Sequence, residues 1–261
     1  MNEKQEPDES ITFLGTGGAR IMVSRQTLAS GGMWLKLNGT EILLDPGPGS
    51  IIQSTKRNLQ PENLSAIIIS HRHLDHSGDV NIMVEAMTGG GFKPHGWFFA
   101  PKDALDFEPV LYSYLKESLD GIVLLEEGKS YTAGNISFST PLRHIHGVET
   151  YGIIFRTPAH TFSYITDSRY FAGLSRCYTG ELLIINTVFL EANPRFYHLS
   201  VADAGEIIRH LKPRAAILTH FGTQVWRANP ALIAERMSQE TGVRVIAASD
   251  GMKFDLSELD K

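Results

Sequence analysis

Between Ser70 and Asp79 the chain reads SHRHLDHSGD, which places His71, His73, Asp75 and His76 within six positions. Such side chains are costly to bury unpaired, yet the SAIII that precedes them reads as a buried strand. A metal ion resolves the conflict, because imidazole nitrogens and carboxylate oxygens become its ligands. Close spacing in a loop that leaves a strand lets several ligands converge with little loop-closure entropy. His71 and His73 can share one ion, and Asp75 and His76 can turn toward a second. A catalytic zinc takes three protein ligands and keeps one position open, so the cluster alone completes neither site.

Three later segments offer the missing ligands. LRHIHGVETYG carries His146 and His144, FSYITDS carries Asp167, and AAILTHFG carries His220. Asp167 and His220 each follow a hydrophobic run that reads as a strand. Cys177 is the single cysteine, which excludes an intramolecular disulfide and a thiolate-rich zinc site. Any metal must be held by His and carboxylates, donors that suit zinc and also manganese or iron. Structural zinc cages are closed and often Cys-rich, which makes a purely structural metal the weaker reading.

The elements that must position these residues are short strands interspersed with helices. A first strand at Ile11–Gly15 runs into GTGGAR. Arg20 stands where a dinucleotide fingerprint requires its third glycine, so this stretch reads as a flexible turn. Met33, Leu35 and Leu37 alternate with Trp34 and Lys36 ahead of Asn38-Gly39, a two-residue hairpin signal. Further strands are expected at Ser65–Ser70, Gly96–Ala100, Gly121–Leu125, Asn135–Thr140, Tyr151–Arg156, Thr161–Thr166, Leu182–Asn186, Ala215–Thr219 and Arg244–Ala247. Helices are expected at Ser50–Leu59, Gly78–Met87, Pro109–Lys116, Ser200–Leu211 and Pro230–Thr241. Pro109 and Pro230 suit first helical positions, and Ser200 with Asp203 resembles a capping box. The order suits two packed sheets covered by helices, an α/β chain.

Composition narrows the class. At 42% hydrophobic and 20% charged residues the chain reads as an ordinary soluble globular protein. Residues 1–10, MNEKQEPDES, are acidic and lack an apolar core, so they read as a flexible tail rather than a signal peptide, with 11–261 as one domain. No apolar run approaches the roughly 18 residues of a membrane helix, and the cytoplasm is the expected location. A formal net charge of −5 and a pI near 6.1 argue against a broad nucleic-acid surface. They leave open a small phosphate substrate held by metals.

With ILLDPGPG before the cluster, and HGVETYG, YITD and ILTHFG after it in that order, the chain resembles the metallo-β-lactamase superfamily over most of Ile11–Gly222. The resemblance implies an αββα sandwich, two mixed sheets flanked by helices, with a dinuclear site at the mouth between them. It implies that His71, His73 and His146 hold one divalent ion, that Asp75, His76 and His220 hold the other, and that Asp167 bridges the two. The spacing of HGVETYG favours His146 over His144, which is left as a supporting or packing residue. Asp45 in LLDPGPG could be a turn residue before proline; the resemblance makes it the group that orients a ligand histidine through its far ring nitrogen. His95, His160 and His210 fall in no motif and read as surface or packing residues, and Cys177 reads as inert.

Two metals about 3.5–4 Å apart can share a water and bring its pKa to around 7. The metal-bound hydroxide is then the nucleophile of a hydrolase, with Asp75 and His198 as the expected catalytic side chains. Di-iron oxygen-reducing relatives carry Glu where this chain has His73 and add a flavin domain, features this sequence does not display. ITFLGTGGAR, LLDPGPG and HLSVADAGEII resemble most the ribonuclease Z and cyclic-phosphodiesterase branch. That likeness implies that His198 lies near the reacting phosphate; the alternative is a residue that merely flanks a helix cap. Bacterial ribonuclease Z usually carries a long tRNA-binding arm between the third histidine motif and the bridging aspartate. Here twenty residues separate His146 from Asp167, and Leu74 stands where the nuclease pattern has glycine.

The expected substrate is therefore a small phosphodiester or nucleotide. No stable nucleic-acid or membrane partner is expected, and a homodimer is one admissible assembly. The alternatives on the same scaffold are a lactonase, a thioesterase, or a ribonuclease Z-like endonuclease that processes tRNA 3′ ends. MTGGGFKPHGWFF (Met87–Phe99) reads either as a mobile cover over the site, through Phe92 and Trp97, or as an ordinary flexible connection.

Overall fold

The computed structural model describes residues 9–30, 32–106 and 108–261. Six strands come first: β1 (Ser10–Phe13), β2 (Met33–Leu37), β3 (Thr40–Leu44), β4 (Leu64–Ile68), β5 (Trp97–Pro101) and β6 (Gly121–Leu125). Then follow β7 (Lys129–Ala133), β8 (Ile136–Thr140), β9 (Ile153–Arg156), β10 (Thr161–Ile165), β11 (Leu182–Asn186), β12 (Ala215–Thr219) and β13 (Arg244–Ala247), and β14 (Lys253–Asp255) rejoins the first group beside β1. The result is two seven-stranded sheets, ordered β14-β1-β2-β3-β4-β5-β6 and β13-β12-β11-β10-β9-β8-β7. The helices are α1 (Ala19–Arg25), α2 (Ser50–Lys56), α3 (Leu74–Ser77), α4 (Val80–Met87), α5 (Asp103–Asp106), α6 (Leu174–Cys177), α7 (Val201–Leu211), α8 (Thr223–Arg227) and α9 (Pro230–Thr241).

Each sheet is mixed. Strands β3 to β6 run parallel, as do β10 to β13, and the remaining pairings are antiparallel. The parallel strands read as continuous apolar runs because both of their faces are covered. Between the sheets, Ile11, Leu35 and Ile68 meet Phe155, Phe162 and Ile184 in one shared core. Outside it, Met83, Val84 and Met87 of α4 cover the first sheet. Ile207 and Ile208 of α7, with Ile233 and Met237 of α9, cover the second. This is the αββα sandwich that the motifs implied. Its parallel strands send their carboxyl ends toward one mouth, where ligands are expected in open α/β sheets.

Most expected elements are present within a residue or two, and the exceptions have local causes. The hairpin turn at Asn38-Gly39 has positive φ at both residues, 46° and 74°, as a tight primed turn requires. Ser200 and Asp203 form the reciprocal capping box at the start of α7. GTGGAR is not a flexible turn: it leads straight into α1, with Gly17 bridged to Phe221. The helix expected at Pro109–Lys116 is absent. The Asn81 side chain donates to the Val110 carbonyl and accepts from the Tyr112 N–H, which holds that stretch extended until a 3₁₀ turn at Ser113–Ser118. Strand β7 carries polar residues because it lies at a sheet edge. Residues 1–8 of the expected tail lie outside the described residues, but Ser10 pairs with both Lys36 and Asp255 and belongs to β1.

The Met87–Phe99 segment does not cover the mouth. Helix α4 begins near the histidine loop and runs back against β4, so the three glycines 89–91 sit at the amino-terminal end of β5. There Gly96 donates to Asp120, and Trp97 packs so closely on Gly121 that a Cβ there would lie 2.5 Å from the indole. Phe92 points into solvent, at 90% exposure.

Candidate metal centre

Every residue of the predicted ligand set lies at the carboxyl-terminal side of a strand. His71, His73, Asp75 and His76 follow β4, Asp167 follows β10, and His220 follows β12. His146 comes from the connection between β8 and β9. Two members of the site hold left-handed backbone, Asp45 at φ 53° and His220 at φ 58°. For residues with a Cβ this conformation is uncommon and clusters at functional sites.

Asp45 is the hub beneath the site. Its carboxylate accepts from the Ser70 N–H at 2.6 Å, the Ser70 hydroxyl at 2.7 Å and the Tyr164 hydroxyl at 3.0 Å. His76 Nδ1 lies 2.9 Å from the same carboxylate. A carboxylate only accepts, so Nδ1 donates and Nε2 is the atom aimed at the cluster. It lies 3.5 Å from Asp167 Oδ2 and 4.0 Å from Asp75 Oδ2. The Tyr197 carbonyl accepts from His146 Nδ1 at 2.9 Å, which turns His146 Nε2 toward His73 Nδ1, 3.0 Å away.

The ligand atoms form overlapping groups, each within 4.8 Å: His71 with His73 and His146, Asp75 with His76 and His220, and His71 with His76 and Asp167. His198 Nδ1 stands 3.4 Å from Asp167 Oδ2. His71 Nε2, His76 Nε2, His198 Nδ1 and both ring nitrogens of His220 are buried and have no hydrogen-bond partner among the described residues. Orphaned buried nitrogens in this number call for an explanation, and a metal site supplies one. The donor set, imidazole and carboxylate around open space, fits a divalent transition metal.

Protonation differs across the cluster. Burial, and then repulsion among the imidazoles, holds His71 well below the usual histidine range and His73 at about 4. His146 is lowered as well, again by burial first. Burial opposes a charge on His76, but Asp45, Asp75 and Asp167 outweigh it and raise its pKa well above the ordinary value. His198 is raised too: burial pulls it down, and the Asp167 carboxylate more than offsets this. Burial pushes the Asp75 and Asp167 carboxyls up, yet the neighbouring histidines hold both below the usual carboxylate range.

Some supporting residues were not expected from the motifs. The Ala19 N–H donates to Asp75 Oδ2 at 3.1 Å. Gly18 lies flat on the His220 ring, where a Cβ would sit 2.0 Å from Nδ1. Asp250 anchors this loop by accepting from the Thr16 N–H, the Thr16 hydroxyl and the Ala29 N–H. The one signal in the sequence was GTGGAR itself, whose glycines permit that close approach. His144 is a supporting residue and faces away from the ligand atoms. Its Nδ1 donates to the Asp167 carbonyl and its Nε2 accepts from the Tyr178 hydroxyl at 2.6 Å.

The histidines outside the motifs lie elsewhere. His95 contacts the carbonyls of Lys93 and Glu62, and His210 is in the last turn of α7. His160 groups with Glu181 and Asp260, but the Arg214 guanidinium already lies 3.1 Å from Glu181 and 3.6 Å from Asp260. Cys177 is exposed and free.

Comparison with known proteins agrees with this geometry. The Beta-lactamase superfamily domain profile matches residues 40–221, which span Asp45, the histidine loop, His146, Asp167 and His220. An uncharacterised protein of Methanocaldococcus jannaschii is 31% identical over 255 residues, covering 94% of each chain. A ribonuclease Z of Methanosarcina mazei is 30% identical over 141 residues, which are 50% of this chain and 45% of that one. Among solved structures, the metallo-β-lactamase fold protein YhfI of Bacillus subtilis superposes with a TM-score of 0.79 at 22% identity, over 95% of this chain and 99% of that one. The fold implies divalent metal binding, and no helix of the described residues is long and apolar enough to cross a membrane. The chain belongs to the metallo-β-lactamase superfamily of metal-dependent hydrolases.

Proposed function

We propose that the chain is a two-metal phosphodiesterase acting on a small phosphodiester or short nucleotide. His71, His73 and His146 hold one ion, Asp75, His76 and His220 hold the other, and Asp167 is shared. Zinc is the first expectation, with manganese or iron as alternatives. The observation that carries the reading is the ring of partnerless buried nitrogens gathered around the Asp167 carboxylate. When bound, such ions supply Lewis acidity that activates water at neutral pH and stabilises charge developing on the phosphoryl oxygens.

The chain's own residues supply the rest. Asp45 fixes the His76 ring, and Tyr197 fixes His146 through its carbonyl. The Ala19 N–H holds the ionised Asp75 carboxylate in place. The Asp167 carboxylate facing His198 raises its pKa and so favours the protonated imidazole. That proton is available to an alkoxide as it departs, which is the costly part of cleaving an alkyl phosphodiester.

One observation supports a small substrate. The residues between His146 and Asp167 are taken up largely by the β9–β10 hairpin, whose turn at Thr157–His160 lies at the end of the sheet away from the cluster. That leaves no room for an arm. The likeness to a ribonuclease Z supports phosphorus chemistry over carbonyl chemistry.

The test is a hydrolase panel on metal-reconstituted protein: a bis-aryl phosphate, cyclic nucleotides, lactones, thioesters, a cephalosporin and a precursor tRNA. Phosphodiesters should give the highest kcat/KM. A lactone or thioester preferred by about tenfold or more would move the protein to the alternative class. Efficient site-specific 3′ cleavage of the tRNA would overturn the assignment of a small substrate.

A further inference from the structure

Large apolar side chains that the ligand geometry does not require stand exposed beside the cluster residues in the sequence. Leu74, between His73 and Asp75, is 68% exposed. Ile145, next to His146, is 42% exposed, and Phe196 and Tyr197, just before His198, are 53% and 41% exposed. Soluble proteins rarely gather such residues at one place without a ligand to cover them.

Part of this group is an aromatic wall that reaches the cluster. Phe196 packs on Phe189 with ring centroids 5.7 Å apart, and Phe189 meets the His198 ring edge-to-face at 5.9 Å. His198 in turn lies 5.2 Å from the His146 ring. The wall is braced from outside. The Arg169 guanidinium stacks 4.5 Å from the Tyr197 ring centre and donates to the Pro194 carbonyl, while the Arg169 N–H bonds the Ile145 carbonyl. Rigid aromatic side chains held in this way recognise flat groups at low entropic cost. The wall ends on the His198 and His146 rings of the cluster, so a group stacked along it lies beside the reacting centre.

We infer that the substrate carries a flat aromatic group, an aryl ring or a nucleobase, beside the phosphoryl centre, and that Phe196 with Leu74 selects it. This rests on the phosphoryl reading above and specifies its substrate class. The probes are phenylphosphonate and methylphosphonate, which share one anchoring group and differ in the feature at issue. Calorimetric titration of metal-loaded protein should show phenylphosphonate binding about tenfold or more tighter, the scale at which an apolar contact discriminates ligands.

Phe196→Ser should bring the ratio to about twofold or less by removing that contact, with metal content and methylphosphonate affinity unchanged. Leu74→Ser should reduce it in the same direction. Equal affinities in the wild type, or a preference that survives both substitutions, would overturn the inference while leaving phosphodiester hydrolysis standing. If neither phosphonate binds, the phosphoryl reading falls and the inference falls with it.

Discussion

The two halves of the cluster are built on opposite electrostatic plans. On one side His71, His73 and His146 form an all-imidazole group whose members are pushed toward the neutral form by burial and by one another. On the other side His76 lies among carboxylates, tied to Asp45 and facing Asp75 and Asp167, and is pushed toward the protonated form. Without metal, the first half favours neutral imidazoles. The second favours a proton on His76, which a metal would have to displace. A single loop of six residues thus feeds two sites with different proton costs, and Asp167 stands between them.

The largest expected effect tests whether His198 belongs to neither half. His198→Ala should slow hydrolysis of alkyl or nucleotide phosphodiesters by roughly 10²–10⁴-fold, the usual contribution of a positioned acid. Nitrophenyl esters, whose leaving group needs little protonation, should slow only mildly, and metal content should be unchanged. Kinetics across leaving groups of graded pKa, with elemental analysis of the variant, measure both. Equal losses for every leaving group would remove His198 as the donor, and lost metal would make it a ligand.

A smaller effect should sharpen the contrast. Asp45→Asn keeps the shape but weakens the hold on His76 Nδ1, so metal affinity in the Asp75, His76 and His220 half should drop by about 10–100-fold. The all-imidazole half should keep its affinity. Competition against a chelator, read as two separate phases, distinguishes the halves. Equal weakening of both phases would mean that Asp45 supports the whole mouth.

The smallest effect is one of pH. His76 is pushed toward the protonated form in the metal-free protein, and a metal bound through Nε2 would displace that proton. Lowering the pH below its raised pKa should therefore weaken the second half by about tenfold per unit. His73, held at about 4, stays neutral at pH 6, so the first half should change little between pH 8 and pH 6. Metal titrations at those two pH values check the sign. A first half that weakens as steeply as the second would erase the distinction.

The polar cluster was legible because its residues follow apolar strands, whose carboxyl ends converge in this architecture; its division into two ligand sets rested on the family resemblance. Asp45 stood between a turn residue and an orienting group until the resemblance singled it out. The supporting loop was not legible. Gly18 and Ala19 act on His220 and Asp75, contacts made only when distant parts of the chain are brought together. The aromatic stretch after Met87 was open between a cover and an ordinary connection. Its composition suits a cover, but α4 carries the chain to the far end of the sheet before that stretch begins. The missing helix at Pro109 has a similar cause: local propensity favoured it, and two hydrogen bonds from Asn81 outweighed the propensity.

Two ions should bind, one per half, with Asp167 shared. The direct measurement is metal content per chain, by elemental analysis after purification without chelator and again after reconstitution, for wild type, His73→Ala and His220→Ala. The wild type should hold about two ions and each variant about one, the loss falling in the half that was altered. Reconstituted wild-type protein that holds about one ion or none would contradict it.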